Sequence, residues 1–184
     1  MKLGLKVFAV AVLALGLAVS AQALTITPTS GSLGVSRWSG PETSQSAINA
    51  VIAGIMGAST ELYKQDFGGG ESGPLAGSYQ TQFFNSAQDA TITWVGGSYV
   101  GPVAFALVKD GNNNPGWYLF NLTTIGAWNG RTDLEFENFW VDNGAISHVA
   151  LYGTTGTSVP DGGSVAMLLG VALMGLAGFR RMLK

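Results

Sequence analysis

Short apolar segments with a two-residue period follow one another through most of this chain, and they restrict it to a β-rich fold. Each segment is rich in β-branched or aromatic residues and is bounded by Gly, Asn, Asp or Pro. Their number and spacing predict an antiparallel β-sandwich of the jelly-roll kind. The predicted strands are Glu61–Gln65, Ser78–Phe84, Ala90–Val95, Pro102–Lys109, Gly116–Leu122, Thr132–Val141 and Ala145–Tyr152.

Two turn sequences connect these strands. Residues 110–115 read Asp-Gly-Asn-Asn-Asn-Pro between two β-forming segments, so the flanking strands are predicted to form an antiparallel hairpin. Residues 142–144, Asp-Asn-Gly, predict a second hairpin in the same way. The Gly-rich segment 68–77 is predicted to be a mobile loop within one domain.

One segment before the strands has the period of a helix. After a short opening strand at Leu24–Thr27 and a Ser/Gly loop that runs to Gly40, apolar residues recur at spacings of three and four between Pro41 and Ser59. We expect this amphipathic helix to be the only helix of the domain. Its apolar face predicts core packing, with binding of a partner as the alternative. The face consists of Ala47, Ile48, Val51, Ile52, Ile55 and Met56.

The first 23 residues have the pattern of a secretory signal peptide. Lys2 and Lys6 accompany an apolar stretch from Val7 to Val19, and the small-residue pattern Ala21-Gln22-Ala23 follows it. We therefore expect export and a mature chain that begins near Leu24.

Residues 159–184 contain three zones of different physical character. An uncharged apolar run from Ser164 to Phe179 would form a helix about 24 Å long, and long basic side chains beyond it can extend its reach to the bilayer interface. The run predicts a transmembrane helix with a cytoplasmic basic end, and the alternative is a buried core helix. The preceding turn is Val159, Pro160, Asp161, Gly162 and Gly163, and the basic end is Arg180, Arg181 and Lys184.

The order Pro160-Asp161-Gly162, apolar run, Arg180-Arg181 resembles the PEP-CTERM sorting signal in its VPD variant. The resemblance implies a bacterial protein that is exported and then processed by an exosortase, a membrane-embedded cysteine transpeptidase. It further implies that the helix anchors the chain in the membrane before cleavage, after which the ectodomain, residues 24–158, is released or attached to the surface. Segments near Lys109, Trp117, Trp128 and Gly144 also resemble ectodomains that recur among PEP-CTERM proteins. This second resemblance is less specific than that of the tail and implies no catalytic residue.

The charge and cysteine content of the ectodomain exclude several functions. Its ten acidic residues outnumber the four basic ones, Arg37, Lys64, Lys109 and Arg131, so its net charge is near minus six. Such a charge disfavours nucleic acid and anionic lipid as partners. The chain contains no cysteine, which excludes disulfides, thiol catalysis and thiolate metal sites. We expect no cofactor.

Three carboxylates are the first candidate site. Asp133, Glu135 and Glu137 alternate with Leu134 and Phe136, which places the carboxylates on one face of a strand. Carboxylates in this arrangement would serve Ca²⁺ binding or glycoside hydrolysis, and the alternative is a solvated strand face.

Histidine and tryptophan supply the remaining candidates. His148, the sole histidine, is interpreted as a hydrogen-bonded structural side chain, because no motif for nucleophilic catalysis accompanies it. Several aromatic residues would either form a stacking platform for sugar rings or fill the core, namely Trp94, Trp117, Trp128 and Trp140 with Tyr99 and Tyr118. Trp117 and Trp140 lie in apolar segments and favour core packing, whereas Trp128 lies in a Gly-bounded loop and predicts an exposed contact. The sequence thus favours a non-enzymatic surface or matrix protein of a Gram-negative-type bacterium. The alternatives are a weak exopolysaccharide-binding module and, as a third hypothesis, a glycoside hydrolase.

Overall fold

The structure is a computed structural model that describes residues 22–57, 60–110, 113–142, 144–157, 169–170 and 172–173. The predicted signal peptide up to residue 21, the motif residues 159–163 and the basic residues Arg180, Arg181 and Lys184 lie outside the described residues. Within the described ranges, no helix is both long enough and apolar enough to span a bilayer.

The described part of the ectodomain is mainly β and contains two sheets. The four-stranded sheet has the order β1-β9-β6-β5, and the six-stranded sheet has the order β2-β8-β7-β10-β3-β4. The elements are β1 Leu24–Ile26, β2 Arg37–Gly40, α1 Gln45–Met56, β3 Thr60–Asp66, β4 Glu71–Ser72, β5 Tyr79–Phe84, β6 Asp89–Trp94, β7 Tyr99–Asp110, β8 Trp117–Asn121, α2 Leu122–Gly126, β9 Leu134–Phe136 and β10 Ile146–Gly156.

The six-stranded sheet lies between two layers of apolar side chains. In its strand β10, Val149 and Leu151 point into a core shared with the four-stranded sheet, whereas Ala150 and Tyr152 point to the opposite side. Both faces of this sheet are buried, because alternate side chains of a strand project to opposite sides. The shared core between the two sheets fits the predicted sandwich.

Helix α1 covers the outer face of the six-stranded sheet, as its amphipathic pattern predicts. Ile48 and Ile52 are buried against Leu107 and Trp117 of that sheet. Ser44 caps the helix by accepting a hydrogen bond from the backbone N–H of Ala47 at 3.4 Å. The apolar face of α1 is therefore core, and the prediction that it is the only helix is wrong, since α2 follows β8.

The antiparallel prediction holds for most strand pairs, with one exception. Strand β1 pairs in parallel with β9, in the register Leu24 to Leu134. The hairpin predicted around residues 110–115 is confirmed, because β7 and β8 pair antiparallel on either side of it. Strands β2 and β4 lie in segments that were predicted to be loops.

The second predicted hairpin and most of the strand predicted at Thr132–Val141 are wrong. Only residues 134–136 form a strand, and it belongs to the four-stranded sheet, whereas β10 belongs to the other sheet. Asn138 and Trp140 have φ values of 61° and 51°, which are incompatible with continuing an extended strand. Residues 137–145 therefore connect the two sheets instead of turning back within one.

Candidate ligand-binding groove

An open groove of about 630 Å³ lies where three connecting segments meet. Its volume falls within the range of about 300–1,000 Å³ that is usual for small-molecule sites. One wall follows β1, a second belongs to the β7–β8 hairpin, and the third is the crossing from β9 toward β10. The lining residues are Thr27, Pro28, Thr29, Asn113, Asn114, Pro115, Tyr118, Asn138, Trp140, Val141 and Asp142.

The third wall, residues 137–142, is called the strap here. Phe139 is fully buried, while Asn138 on one side of it and Trp140 on the other line the groove. This alternation is achieved with left-handed backbone at Asn138 and Trp140. Left-handed backbone is tolerated by Asn but is a real outlier for a bulky residue such as Trp, and outliers of this kind concentrate at functional sites.

Hydrogen bonds to two separate segments hold the strap in this conformation. The backbone N–H of Glu137 donates to the carbonyl of Ile26 at 2.9 Å, and that of Phe139 donates to the carbonyl of Gln88 at 3.0 Å. The backbone N–H of Asn138 donates to Oδ1 of Asp89 at 2.8 Å. Because β1, the turn before β6 and the strap are tied together, the groove wall has a fixed position.

Two partly exposed aromatic rings form the apolar part of the groove. The ring centroids of Tyr118 and Trp140 are 5.5 Å apart, and the ring planes are inclined by 53°. Phe139 packs beneath both, at 5.5 Å from Tyr118 and 5.6 Å from Trp140. The indole Nε1 of Trp140 donates to the carbonyl of Pro115 at 2.9 Å, which joins the strap to the β7–β8 hairpin. The two rings make an angular corner and not a flat platform.

Polar groups without internal partners surround this corner. The side-chain amides of Asn114 and Asn138 and the carboxylate of Asp142 make no hydrogen bond with another described residue, and all three residues are exposed. Partial burial raises the pKa of Tyr118, and the neighbouring Arg37 guanidinium opposes that rise. Arg37 also donates a hydrogen bond to the carbonyl of Pro28 in the first wall. The groove thus offers amide donors and acceptors beside two rings.

The prediction that Trp128 is an exposed sugar contact is wrong. Its side chain is 4 % exposed and belongs to the main core. The loop around it is held inward, because the Trp128 indole donates to the carbonyl of Thr132 at 2.8 Å and the Tyr79 hydroxyl donates to the carbonyl of Gly130 at 2.7 Å. A ring buried in this way has no free face on which a sugar can stack.

The carboxylate row lies on the outer side of the four-stranded sheet. Leu134 and Phe136 are buried, and Glu135 between them accepts a hydrogen bond from the Thr25 hydroxyl at 3.1 Å, in an exposed setting. Of the three carboxylates predicted on one strand face, only Glu135 lies in the observed strand, because Asp133 precedes it and Glu137 belongs to the strap. Among the described residues, no three His, Cys, Asp or Glu side chains converge as a metal site, so the predicted Ca²⁺ role of this row has no structural support.

His148 is buried beside a partly exposed polar cluster on the six-stranded sheet. It pairs across the sheet with Asp66 of β3 and Lys109 of β7, and Lys64 forms an ion pair of 2.8 Å with Asp66. The Nδ1 atom of His148 is 3.7 Å from Oδ1 of Asp66, and its buried Nε2 has no hydrogen-bond partner. Burial, followed by the positive charges of Lys64 and Lys109, lowers the pKa of His148 to about 4. His148 is buried, and among the described residues its Nε2 finds no partner, so the prediction that its hydrogen bonds are satisfied is wrong.

A family model described as the VPDSG-CTERM motif matches residues 158–183. This segment is a PEP-CTERM-like sorting signal. The match confirms the resemblance based on Pro160-Asp161-Gly162, the apolar run and Arg180-Arg181. It implies export through a membrane-anchored intermediate and processing by an exosortase. No curated protein and no solved structure matches the chain.

Sequence reasoning found the sorting signal but missed the groove. Tyr118 and Trp140 lie in segments predicted to be strands, core packing was favoured for Trp140, and residues 110–115 were predicted to form a turn. The one local signal was Asn138, since Asn is enriched in left-handed backbone and therefore ends strands. The meeting of the three walls depends on tertiary contacts, which no local pattern encodes.

Proposed function

We propose that this protein is an exported, non-catalytic component of the bacterial cell surface or extracellular matrix, delivered there by an exosortase. The observation that supports the proposal is the sorting signal at residues 158–183. The ectodomain is acidic, free of cysteine and rich in β-strands, which suits a stable extracellular module that needs no disulfides. We retain the jelly-roll sandwich as its proposed architecture. On this proposal the domain acts by its presence at the surface and not by turnover.

Cell fractionation combined with intact-mass measurement tests this proposal. The complete chain and a chain that lacks residues 159–184 are expressed in a host with an exosortase. We expect the complete chain outside the cytoplasm, with a mass that lacks residues 164–184, because cleavage within Val159–Gly163 removes the apolar run. Cytoplasmic recovery of the complete chain would refute export, and a mass that retains the apolar run would refute processing.

Substitution within the motif adds specificity to this test. Asp161→Ala changes the proposed recognition sequence, whereas Glu137→Ala removes an exposed carboxylate outside it. We expect only the Asp161 variant to accumulate as the uncleaved, membrane-bound form. Equal processing of both variants would mean that the motif is not what the exosortase reads.

A second candidate function, binding of extracellular polysaccharide, is favoured by the groove that contains Tyr118 and Trp140. This changes the original hypothesis, because the contact moves from Trp128 to the strap and the β7–β8 hairpin. Glycoside hydrolysis is not proposed, since Asp133, Glu135 and Glu137, the carboxylates considered for it, are not among the lining residues.

A further inference from the structure

We propose that the groove binds an uncharged pyranose unit of a polysaccharide, packed into the corner between Tyr118 and Trp140 and hydrogen-bonded by Asn114, Asn138 and Asp142. The proposal rests on the second candidate function and specifies its site and its ligand class.

The aromatic corner suits the apolar C–H faces of a sugar ring. Tyr118 and Trp140 are each partly exposed, and their planes are inclined by 53° at a centroid separation of 5.5 Å. A corner of this shape can contact one ring on two sides, whereas a flat sheet of coplanar rings would favour several units in a row.

The polar lining suits hydroxyl groups. An amide presents one acceptor oxygen and two N–H donors in a plane, and a carboxylate presents two acceptor oxygens, so these groups match pairs of neighbouring hydroxyls. The side chains of Asn114, Asn138 and Asp142 make no hydrogen bond within the described part of the chain and can form such bonds without breaking others.

The charge around the groove favours an uncharged ligand. Asp142 is the one ionisable carboxylate among the described lining residues, and the nearby Arg37 is already bonded to the Pro28 carbonyl. The ectodomain as a whole is acidic, so a uronic-acid polymer would be repelled at long range.

The site is prepared before a ligand arrives. Phe136 and Phe139, three residues apart, both point into the core, and the left-handed backbone at Asn138 and Trp140 accommodates this break in the two-residue period of a strand. Hydrogen bonds from the strap to β1, to the turn before β6 and to Pro115 hold that backbone. A fixed wall lowers the entropy lost on binding. The affinity for one unit remains weak, so repeated units on a polymer and many copies on a surface would be required.

Affinity electrophoresis of the complete chain tests the proposal. The chain is dissolved in a zwitterionic detergent without a sugar headgroup, so that neither export nor processing affects the result and the detergent does not compete. The gels contain galactomannan, dextran or a mixed-linkage β-glucan as uncharged probes, polygalacturonate as an anionic probe, or a proline-rich peptide polymer. We expect at least one of the three uncharged polysaccharides to retard migration. Polygalacturonate and the peptide polymer should have little effect.

Asn138→Gly is the informative variant. Glycine accepts the φ of 61° at this position, so the substitution removes the amide while keeping the strap conformation. Loss of one or two hydrogen bonds should weaken retardation about 3- to 10-fold. Trp140→Phe should weaken it further, with thermal unfolding measured alongside to establish that the variant is folded.

Asn49→Ala is the matched control, because it removes an exposed Asn amide on α1, outside the groove. Its retardation should equal that of the parent chain. The proposal would be overturned if only polygalacturonate, only the peptide polymer or none of the probes retarded the chain. It would also be overturned if the Asn49 and Asn138 variants lost retardation equally. None of these results would affect the export proposal, which is decided by fractionation and mass.

Discussion

His148 should make the folded state sensitive to acid. The side chain is 5 % exposed, and the groups that face it are Asp66 and Lys64 on β3 and Lys109 on β7. Burial lowers its pKa from the ordinary value of 6.5 to about 4, because the protonated ring would be a poorly solvated cation beside two lysines. The unfolded chain therefore binds a proton between pH 6.5 and pH 4 that the folded chain does not.

The magnitude of this effect follows from the two pKa values. Above pH 6.5 the imidazole is neutral in both the folded and the unfolded chain, so proton binding at His148 hardly changes the free energy of unfolding. Between pH 7 and pH 4.5 the free energy of unfolding should fall by about 2 kcal/mol through this residue, and the full loss below pH 4 should be about 3 kcal/mol. Such a loss is a substantial share of the stability of an ordinary domain.

Two non-titrating substitutions, His148→Gln and His148→Leu, test this reasoning. Urea unfolding of the parent and of each variant is followed by tryptophan fluorescence at pH 7.0, 5.5 and 4.5. Between pH 7.0 and pH 4.5 the free energy of unfolding should fall by about 2 kcal/mol less in each variant than in the parent. At pH 7 the Leu variant should be at least as stable as the parent, because it removes the buried Nε2 that has no partner. If the parent and both variants decline in parallel with falling pH, the proposed linkage is wrong.

Three further substitutions test other features of the fold. Trp128→Ala should lower the free energy of unfolding by about 3–5 kcal/mol in urea titrations, because the ring belongs to the core. For the same reason, retardation of the folded variant by polysaccharide should stay unchanged. Glu135→Gln should change stability by less than about 0.5 kcal/mol, and Ca²⁺ should not shift the Tm of either form, since this carboxylate lies on a solvated face. Gly130→Ala should lower the Tm markedly, because φ is +80° there and an added Cβ would lie 2.1 Å from the Val100 carbonyl oxygen.

Local patterns predicted those parts of the fold in which one signal dominates. The apolar period of α1, ended by Gly57, identified the helix, and the turn at residues 110–115 identified the β7–β8 hairpin. In both cases the residues that determine the conformation are neighbours in the chain. Period-two segments likewise located most strands, although not their partners.

The errors arose where tertiary contacts override local preference. The segment 132–141 has the composition of a strand, but Phe136 and Phe139, three residues apart, are both buried, which breaks the two-residue period and requires backbone that is not extended. Trp128 lies in a loop with flanking glycines, yet hydrogen bonds from its indole and from Tyr79 hold that loop against the core. A loop position indicates exposure only when nothing fixes the loop from within the fold, and the sequence does not reveal such distant contacts.

The strain in the strap must be balanced by contacts on both of its faces. Left-handed backbone at two non-glycine residues costs about 1–3 kcal/mol each, with the smaller cost at Asn138, and burial of Phe139 contributes only about 1.5–3 kcal/mol. The remaining stabilisation comes from the rings of Tyr118, Phe120, Phe136 and Trp140, which all lie within 6.2 Å of the Phe139 ring. Four aromatic pairs at about 0.5–1.5 kcal/mol each can offset the strain, and the indole hydrogen bond to Pro115 adds to them. The aromatic cluster therefore holds the strap in its unusual conformation and also supplies the groove with its two rings. The surface of the groove is fixed by the same contacts that join the two sheets.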